Sequence, residues 1–147
     1  MTTIEVFADV ACPFTHAGLR LLVERRAELG SSAELRIRAW PLELVNGHPL
    51  DPSFIAEEVD EIKAQAAPGW FVGFHSEAFP ATSLPALALT ATAYRRDLAT
   101  GEEVALELRR LLFEEGRNIA DPGVLDGVAA AHALVVTEAD RDQVLAD

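Results

Sequence analysis

Cysteine occurs once in this chain, as Cys12, in the run Asp9-Val-Ala-Cys-Pro-Phe-Thr-His16. Its thiolate is the strongest nucleophile the sequence offers, able to attack disulfides and to ligate metals. Pro13 follows directly, and proline is favoured as the first residue of a helix, where its missing N–H would have had no partner anyway. Cys12 then stands where the free amides of a helix N-terminus converge. That end carries about half a unit of positive charge, which favours thiolate over thiol and makes the sulfur reactive near neutral pH. Thr15, at the third position on, can reach back to the sulfur with a hydroxyl hydrogen bond; the alternative is an ordinary N-terminal capping residue. His16, four positions on, falls on the same helix face, where a protonated imidazole would add to the effect. The alternative for His16 is a partly exposed helix residue, and for Cys12 an inert place in the core. Cys12 and His16 lack further metal ligands nearby, and His48, His75 and His132 form no set, so no metal centre is expected.

Positioning such a thiol needs a strand that ends and a helix that begins beside it. Residues 3–10 are rich in β-formers (Ile4, Val6, Phe7, Val10) and read as a buried strand. Residues 15–29 fit a helix, with Leu19, Leu22, Val23 and Ala27 on one face, Gly30 as its C-terminal cap and Ser31 and Ser32 in the turn. Residues 34–40 alternate, with Leu35, Ile37 and Ala39 against Glu34, Arg36 and Arg38. Strand, helix and strand make a βαβ unit with parallel strands and a right-handed crossover.

Prolines punctuate the segment after Trp40, which holds one helix, opened by Asp51 as N-cap and Pro52, with Ile55, Val59, Ile62 and Ala66 as its stripe. Residues 68–75 read as an irregular loop with buried rings. From Ser83 the pattern is helical: residues 83–97, with Leu84, Leu87, Ala88, Ala91 and Tyr94 inward, and residues 102–115, with Val104, Leu108, Leu111 and Leu112, stopped by Gly116. A third helix opens at Asp121-Pro122 and carries Val124, Leu125 and Val128. A fourth opens at Thr137 with Asp140 three positions on, a capping box, and is still helical in pattern at Asp147. Trp40, Trp70, Phe71, Phe74 and Phe79 are expected to fill the seam between the βαβ unit and the helices. The pairs Arg25-Arg26, Arg95-Arg96 and Arg109-Arg110, and the acidic run Glu57, Glu58, Asp60 and Glu61, are expected on solvated helix faces.

A length of 147 residues suits one domain, and an apolar share of 50% excludes disorder as the main state. The net charge of −12 disfavours nucleic acid and anionic membranes as partners. One cysteine excludes an internal disulfide, and no apolar run reaches the ~18 residues of a membrane-spanning helix. The N-terminus lacks the basic region of a secretory signal, so the chain reads as cytoplasmic. Two parallel strands do not make a stable sheet alone, and only residues 133–136 offer a weak third. Either a homodimer completes the sheet or a longer protein continues past Asp147.

The segment Phe7-Ala-Asp-Val-Ala-Cys-Pro-Phe-Thr15 resembles the active-site segment of DsbA-like thioredoxin-fold proteins, in which a strand leads into Cys-Pro-x-Cys at a helix N-terminus. Ser83-Leu-Pro-Ala-Leu-Ala-Leu89, with the helices through Leu112-Phe-Glu-Glu-Gly116 and Asn118-Ile-Ala-Asp-Pro122, is similar to the helical insertion of the FrnE-like branch. The 2-hydroxychromene-2-carboxylate isomerases and kappa-class glutathione transferases share that layout. The resemblance implies an α/β, thioredoxin-like fold in one structural domain: residues 1–42 as its N-terminal βαβ half, residues 43–147 as the helical insertion and following helices. The family's last strands and cis-proline segment are then expected to be missing from this chain.

Thr15 stands where dithiol members carry their second cysteine, which implies a monothiol oxidoreductase. In that reading Cys12 is the nucleophile, Pro13, Thr15 and His16 support its thiolate, and Phe14 shapes the substrate groove. Substrates would be protein or small-molecule thiols and disulfides. No cofactor is tightly bound, and a small thiol such as glutathione or mycothiol serves as co-substrate. The resemblance leaves two alternatives: a transferase or isomerase using a bound small thiol, in which the position of Cys12 is often serine, and a non-catalytic binding module.

Overall fold

Two strands near the N-terminus, β1 (Thr3–Ala8) and β2 (Glu34–Ala39), pair in parallel in the register Thr3 to Glu34 through Ala8 to Ala39, with α1 (Pro13–Glu28) crossing between them. They belong to a computed structural model that describes residues 2–65 and 68–146. The alternation of β2 puts Leu35, Ile37 and Ala39 on the buried face, which meets Leu19 of α1 and Ala105 further on. On the opposite face Phe7 and Arg36 are exposed. β1 is therefore not the buried strand its composition suggested: Ala8 is buried, but Phe7, on the bare face, and Ile4, at the strand's start, are exposed. In α1 the dry stripe is confined to the first half, and Ala27 is exposed.

Seven helices complete the α/β fold among the described residues, continuing with α2 (Leu42–Asn46), α3 (Pro52–Gln65), α4 (Leu84–Arg96), α5 (Leu98–Phe113), α6 (Pro122–Ala131) and α7 (Glu138–Ala146). Short 3-10 turns at Pro68–Phe71 and Ser76–Ala78 break up the loop before α4. The main core lies where α3 (Ile55, Val59, Ile62) and α4 (Leu87, Leu89) meet α5 (Val104, Leu108, Leu112). Ala66 and Asp147, which the sequence pattern placed in helices, lie outside the described residues. No helix among the described residues is long and apolar enough to cross a membrane.

α5 begins at Leu98, not at residue 102, because Asp97 serves two helices. Its extended backbone ends α4, and its side chain accepts the Thr100 amide at 2.7 Å as the N-cap of α5. Gly101 is thus inside a helix, where its missing Cβ makes room for Tyr94; a Cβ there would stand 2.1 Å from the ring. The Tyr94 hydroxyl accepts the Ile37 amide at 2.9 Å and donates to the Leu35 carbonyl at 3.0 Å, tying α4 to β2. Burial pushes its pKa up to about 12, so it remains a neutral donor. With the ring held at its far end, Gly101→Ala is expected to cost about 1–3 kcal/mol in urea denaturation, instead of the gain an alanine brings to an open helix position. An unchanged or raised midpoint would show that the ring gives way freely.

The caps at Asp51, Asp121 and Thr137 form as their spacing requires. Asp51 and Asp121 accept the Ser53 and Gly123 amides at 2.9 and 2.8 Å. Thr137 and Asp140 close their box reciprocally, at 2.9 Å from the Thr137 amide and 3.3 Å from the Asp140 amide. Asp140 does more than cap. It accepts from Thr92 at 2.8 Å and from Nε and Nη2 of Arg95 at 2.9 Å each, riveting α7 to α4. Arg95, foremost, holds its carboxyl well below the usual carboxylate range.

Residues 133–136 form no strand. Ala133 has φ 52°, and Arg96 donates to the carbonyls of His132 and Ala133 at 2.5 and 2.7 Å, so those acceptors serve a guanidinium instead of a sheet ladder. The arginine pairs divide rather than lying on solvated faces. Arg25 and Arg110 remain at the surface, paired with Glu28 and Glu115, while Arg26 binds Glu102 (Nη1 to Oε2 2.9 Å) and ties α1 to α5. Arg109 is fully buried. Of the aromatic set, Phe71 and Phe79 are buried in the seam with Trp70 and Phe74 packed beside them, but Trp40 is exposed, edge-on to Phe7 at 6.4 Å.

Candidate active site

The turn between β1 and α1 is held from below by Asp9, a buried carboxylate that sequence reasoning did not single out. Its Oδ1 accepts the Ala11 amide at 2.9 Å, and its Oδ2 accepts the Leu42 amide at 2.8 Å and the Ser83 hydroxyl at 3.3 Å. One side chain thereby joins the turn, the start of α2 and the start of α4. The signal was an acid inside the apolar run Val6-Phe-Ala-Asp-Val-Ala11.

Above it, Cys12 is the N-cap of α1, with φ −88° and ψ 118°, and Pro13 opens the helix. The Cys12 carbonyl accepts the His16 amide at 3.2 Å, the first helical bond, while its side chain makes no capping bond. The thiol is free and partly exposed. Phe14 is 51% exposed on the solvent side of the same turn. Trp40, whose amide donates to the Ala8 carbonyl at 3.2 Å, is exposed at the same end of the sheet.

Thr15 does not reach the sulfur. Its hydroxyl is directed at the carbonyls of Cys12, at 2.9 Å, and Asp9, at 3.0 Å, the back-bonding that a threonine in a first helical turn makes to a nearby backbone acceptor. It neither caps the helix nor offers its proton to the thiolate; it braces the turn.

His16 is neither partly exposed nor a cation. Its ring is 2% exposed, stacked on Phe113 and edge-on to Phe71, each at 5.3 Å. Nε2 lies 3.1 Å from the Trp70 carbonyl and 3.2 Å from Glu114 Oε2, so it faces two acceptors and is the nitrogen that carries the proton. Burial, more than the fields of Arg109 and Arg20 and against the pull of the Trp70 carbonyl, lowers its pKa to about 4. His16 therefore binds α1 to the loop and to the end of α5 as a neutral core residue.

This has a measurable sign. Unfolded, His16 takes a proton near 6.5; folded, near 4, so the unfolded chain holds more protons between those values. Its contribution is intact above pH 6.5 and is lost as pH falls toward 4, to a total of about 3 kcal/mol. His16→Phe is expected to flatten that limb of the stability profile in urea titrations at pH 7, 6 and 5. A profile identical to the parent's would reject a neutral buried His16.

The buried cation in the field of Cys12 is Arg109, 1% exposed, with Nη1 donating to the Ala105 carbonyl at 2.9 Å. Burial lowers its pKa to about 10, opposed by Asp9, Tyr94 and Cys12, so it is charged at neutral pH. The signal that would have found it is helical spacing, four positions from Ala105 and three from Leu112, against the solvated face expected for the Arg109-Arg110 pair. No group of three His, Cys, Asp or Glu side chains converges as a metal site among the described residues.

Among curated proteins nothing gives a significant match to the chain. A family model, the DSBA-like thioredoxin domain, matches residues 3–144, running from the first residue of β1 into α7. With a match over nearly its whole length, the chain belongs to the DSBA-like thioredoxin domain family.

Proposed function

We propose that the protein is a single-cysteine thiol–disulfide oxidoreductase of a reducing compartment. The observation that carries this reading is Cys12 at the N-cap of α1, partly exposed and with its side chain uncommitted. Family membership supports oxidoreductase chemistry, and Thr15 in place of a resolving cysteine supports the monothiol form. The Cys12 thiolate attacks the mixed disulfide between a substrate and a small thiol such as glutathione or mycothiol. The small thiol's sulfur bonds to Cys12, and the substrate leaves as a thiolate that takes a proton from water. A second small-thiol thiolate then attacks the Cys12 mixed disulfide, releasing the oxidised small-thiol dimer and the free Cys12 thiolate. In net, one free small thiol takes the substrate's place in the disulfide and the substrate leaves as its thiol, and no internal disulfide is needed. The helix amides and buried Arg109 favour negative charge on the sulfur in both steps, and exposed Phe14 and Trp40 offer an apolar approach for the substrate.

The direct test is alkylation. Iodoacetamide at pH 7 is expected to modify Cys12 at least about tenfold faster than free glutathione, because Cys12 stands at the N-terminus of α1 in the field of buried Arg109. A rate no faster than that of glutathione would overturn the reading.

A further inference from the structure

A cavity of about 300 Å³ lies between β2, α4, α5 and α7, and none of its lining residues comes from the Cys12 turn. In a chain of net charge −12 it gathers four of the twelve basic side chains, Arg36, Arg38, Arg95 and Arg109. Three of these have evident engagements. Arg95 binds Asp140 through Nε and Nη2, Arg38 pairs with Glu5 at 3.1 Å, and Arg36 lies over the Tyr94 ring at 5.9 Å. Arg109 is different. Nη1 is used on the Ala105 carbonyl, but Nε and Nη2 are buried without an acceptor.

Nε–H and Nη2–H leave a guanidinium side by side on one edge, the edge that receives both oxygens of a carboxylate. Arg95 uses that same edge on Asp140 in the wall of this cavity. Native folds seldom keep a buried donor unpaired, and here two stand together on a charged group. The rest of the lining includes Ile37 and Leu87, apolar walls that suit a hydrocarbon body. The volume is that of a site for a small molecule.

We propose that this cavity binds a small organic carboxylate, with its oxygens on Nε and Nη2 of Arg109 and its apolar body between Ile37 and Leu87. An apolar body and a planar two-oxygen head favour this class over inorganic phosphate. The site shares Arg109 with the field at Cys12 but none of the reacting atoms, so binding lost in Ala91→Phe and exchange lost in Cys12→Ala are read separately.

The test is calorimetric titration with benzoate, with benzamide as its uncharged analogue and with inorganic phosphate, at constant ionic strength. Benzoate is expected to bind at one site at least about tenfold tighter than either. In nitrogen-15 spectra the Arg109 Nε–H resonance is expected to shift on saturation. Arg109→Met removes the fork, and Ala91→Phe fills the cavity from α4 while leaving the guanidinium in place; both are expected to abolish binding. Should Arg109→Met fail to fold, Ala91→Phe and the Nε–H resonance decide. Benzoate binding no tighter than benzamide or phosphate, an unmoved Arg109 resonance, or binding that survives Ala91→Phe would each overturn the proposal.

Discussion

Cys12→Ala is expected to reduce exchange with a glutathionylated peptide to the rate of buffer alone, a loss of at least about three orders of magnitude. The chain has no second cysteine to take over the sulfur chemistry. Stability should hardly change, because the side chain makes no capping bond and is partly exposed. A circular-dichroism melt within a few degrees of the parent would separate lost chemistry from lost fold. Cys12→Ser sharpens the result: a hydroxyl cannot form the mixed disulfide, so it too should be inactive. Activity retained in Cys12→Ser would instead mean that position 12 only hydrogen-bonds the thiolate of a bound small thiol, and would replace the oxidoreductase reading with a transferase or isomerase.

Phe113→Ala carries the largest expected cost in stability, about 3–5 kcal/mol. The ring is fully buried in the last turn of α5, with centroids 5.3 Å from His16, 5.6 Å from Phe71 and 5.7 Å from Phe74. Two segments distant in sequence, α1 at His16 and the loop at Phe71 and Phe74, meet on it, so the cavity left by its removal cannot close by a shift of either alone. His16 would lose its stacking partner, and α1 would loosen beside Cys12. Urea denaturation should therefore show the lower midpoint, and amide exchange should quicken across residues 12–16. Phe113→Leu, which keeps most of the volume, should cost less than about 1.5 kcal/mol. A loss under about 1 kcal/mol for Phe113→Ala would mean that the aromatic group is not a cooperative part of the core.

The readings that held were local. Pro13 opens α1 because its fixed φ and missing N–H suit a first helical residue and nothing further along a helix. The caps at Asp51, Asp121 and Thr137 need only partners two or three residues away, and the alternation in β2 is a property of strand geometry itself. The helix start expected at residue 102 fails for the same reason in reverse. Gly101 finds its place inside the helix in the Tyr94 ring packed against it, and the N-cap of α5 is also the C-cap of α4.

Sequence by itself thus determined that one thiol exists, that it stands at a strand-to-helix junction and that it opens a helix. Only tertiary structure decided which charges face it. His16 is on the helix face that spacing assigned, but rings brought from Phe71 and Phe113 exclude the water that would stabilise its protonated form. Thr15 bonds the backbone beneath it, and the cation is Arg109, buried in α5 far along the chain. Spacing along a chain settles which side chains share a face. Whether a titratable group on that face is charged depends on the dielectric around it, which is made by segments that meet only when the chain is folded.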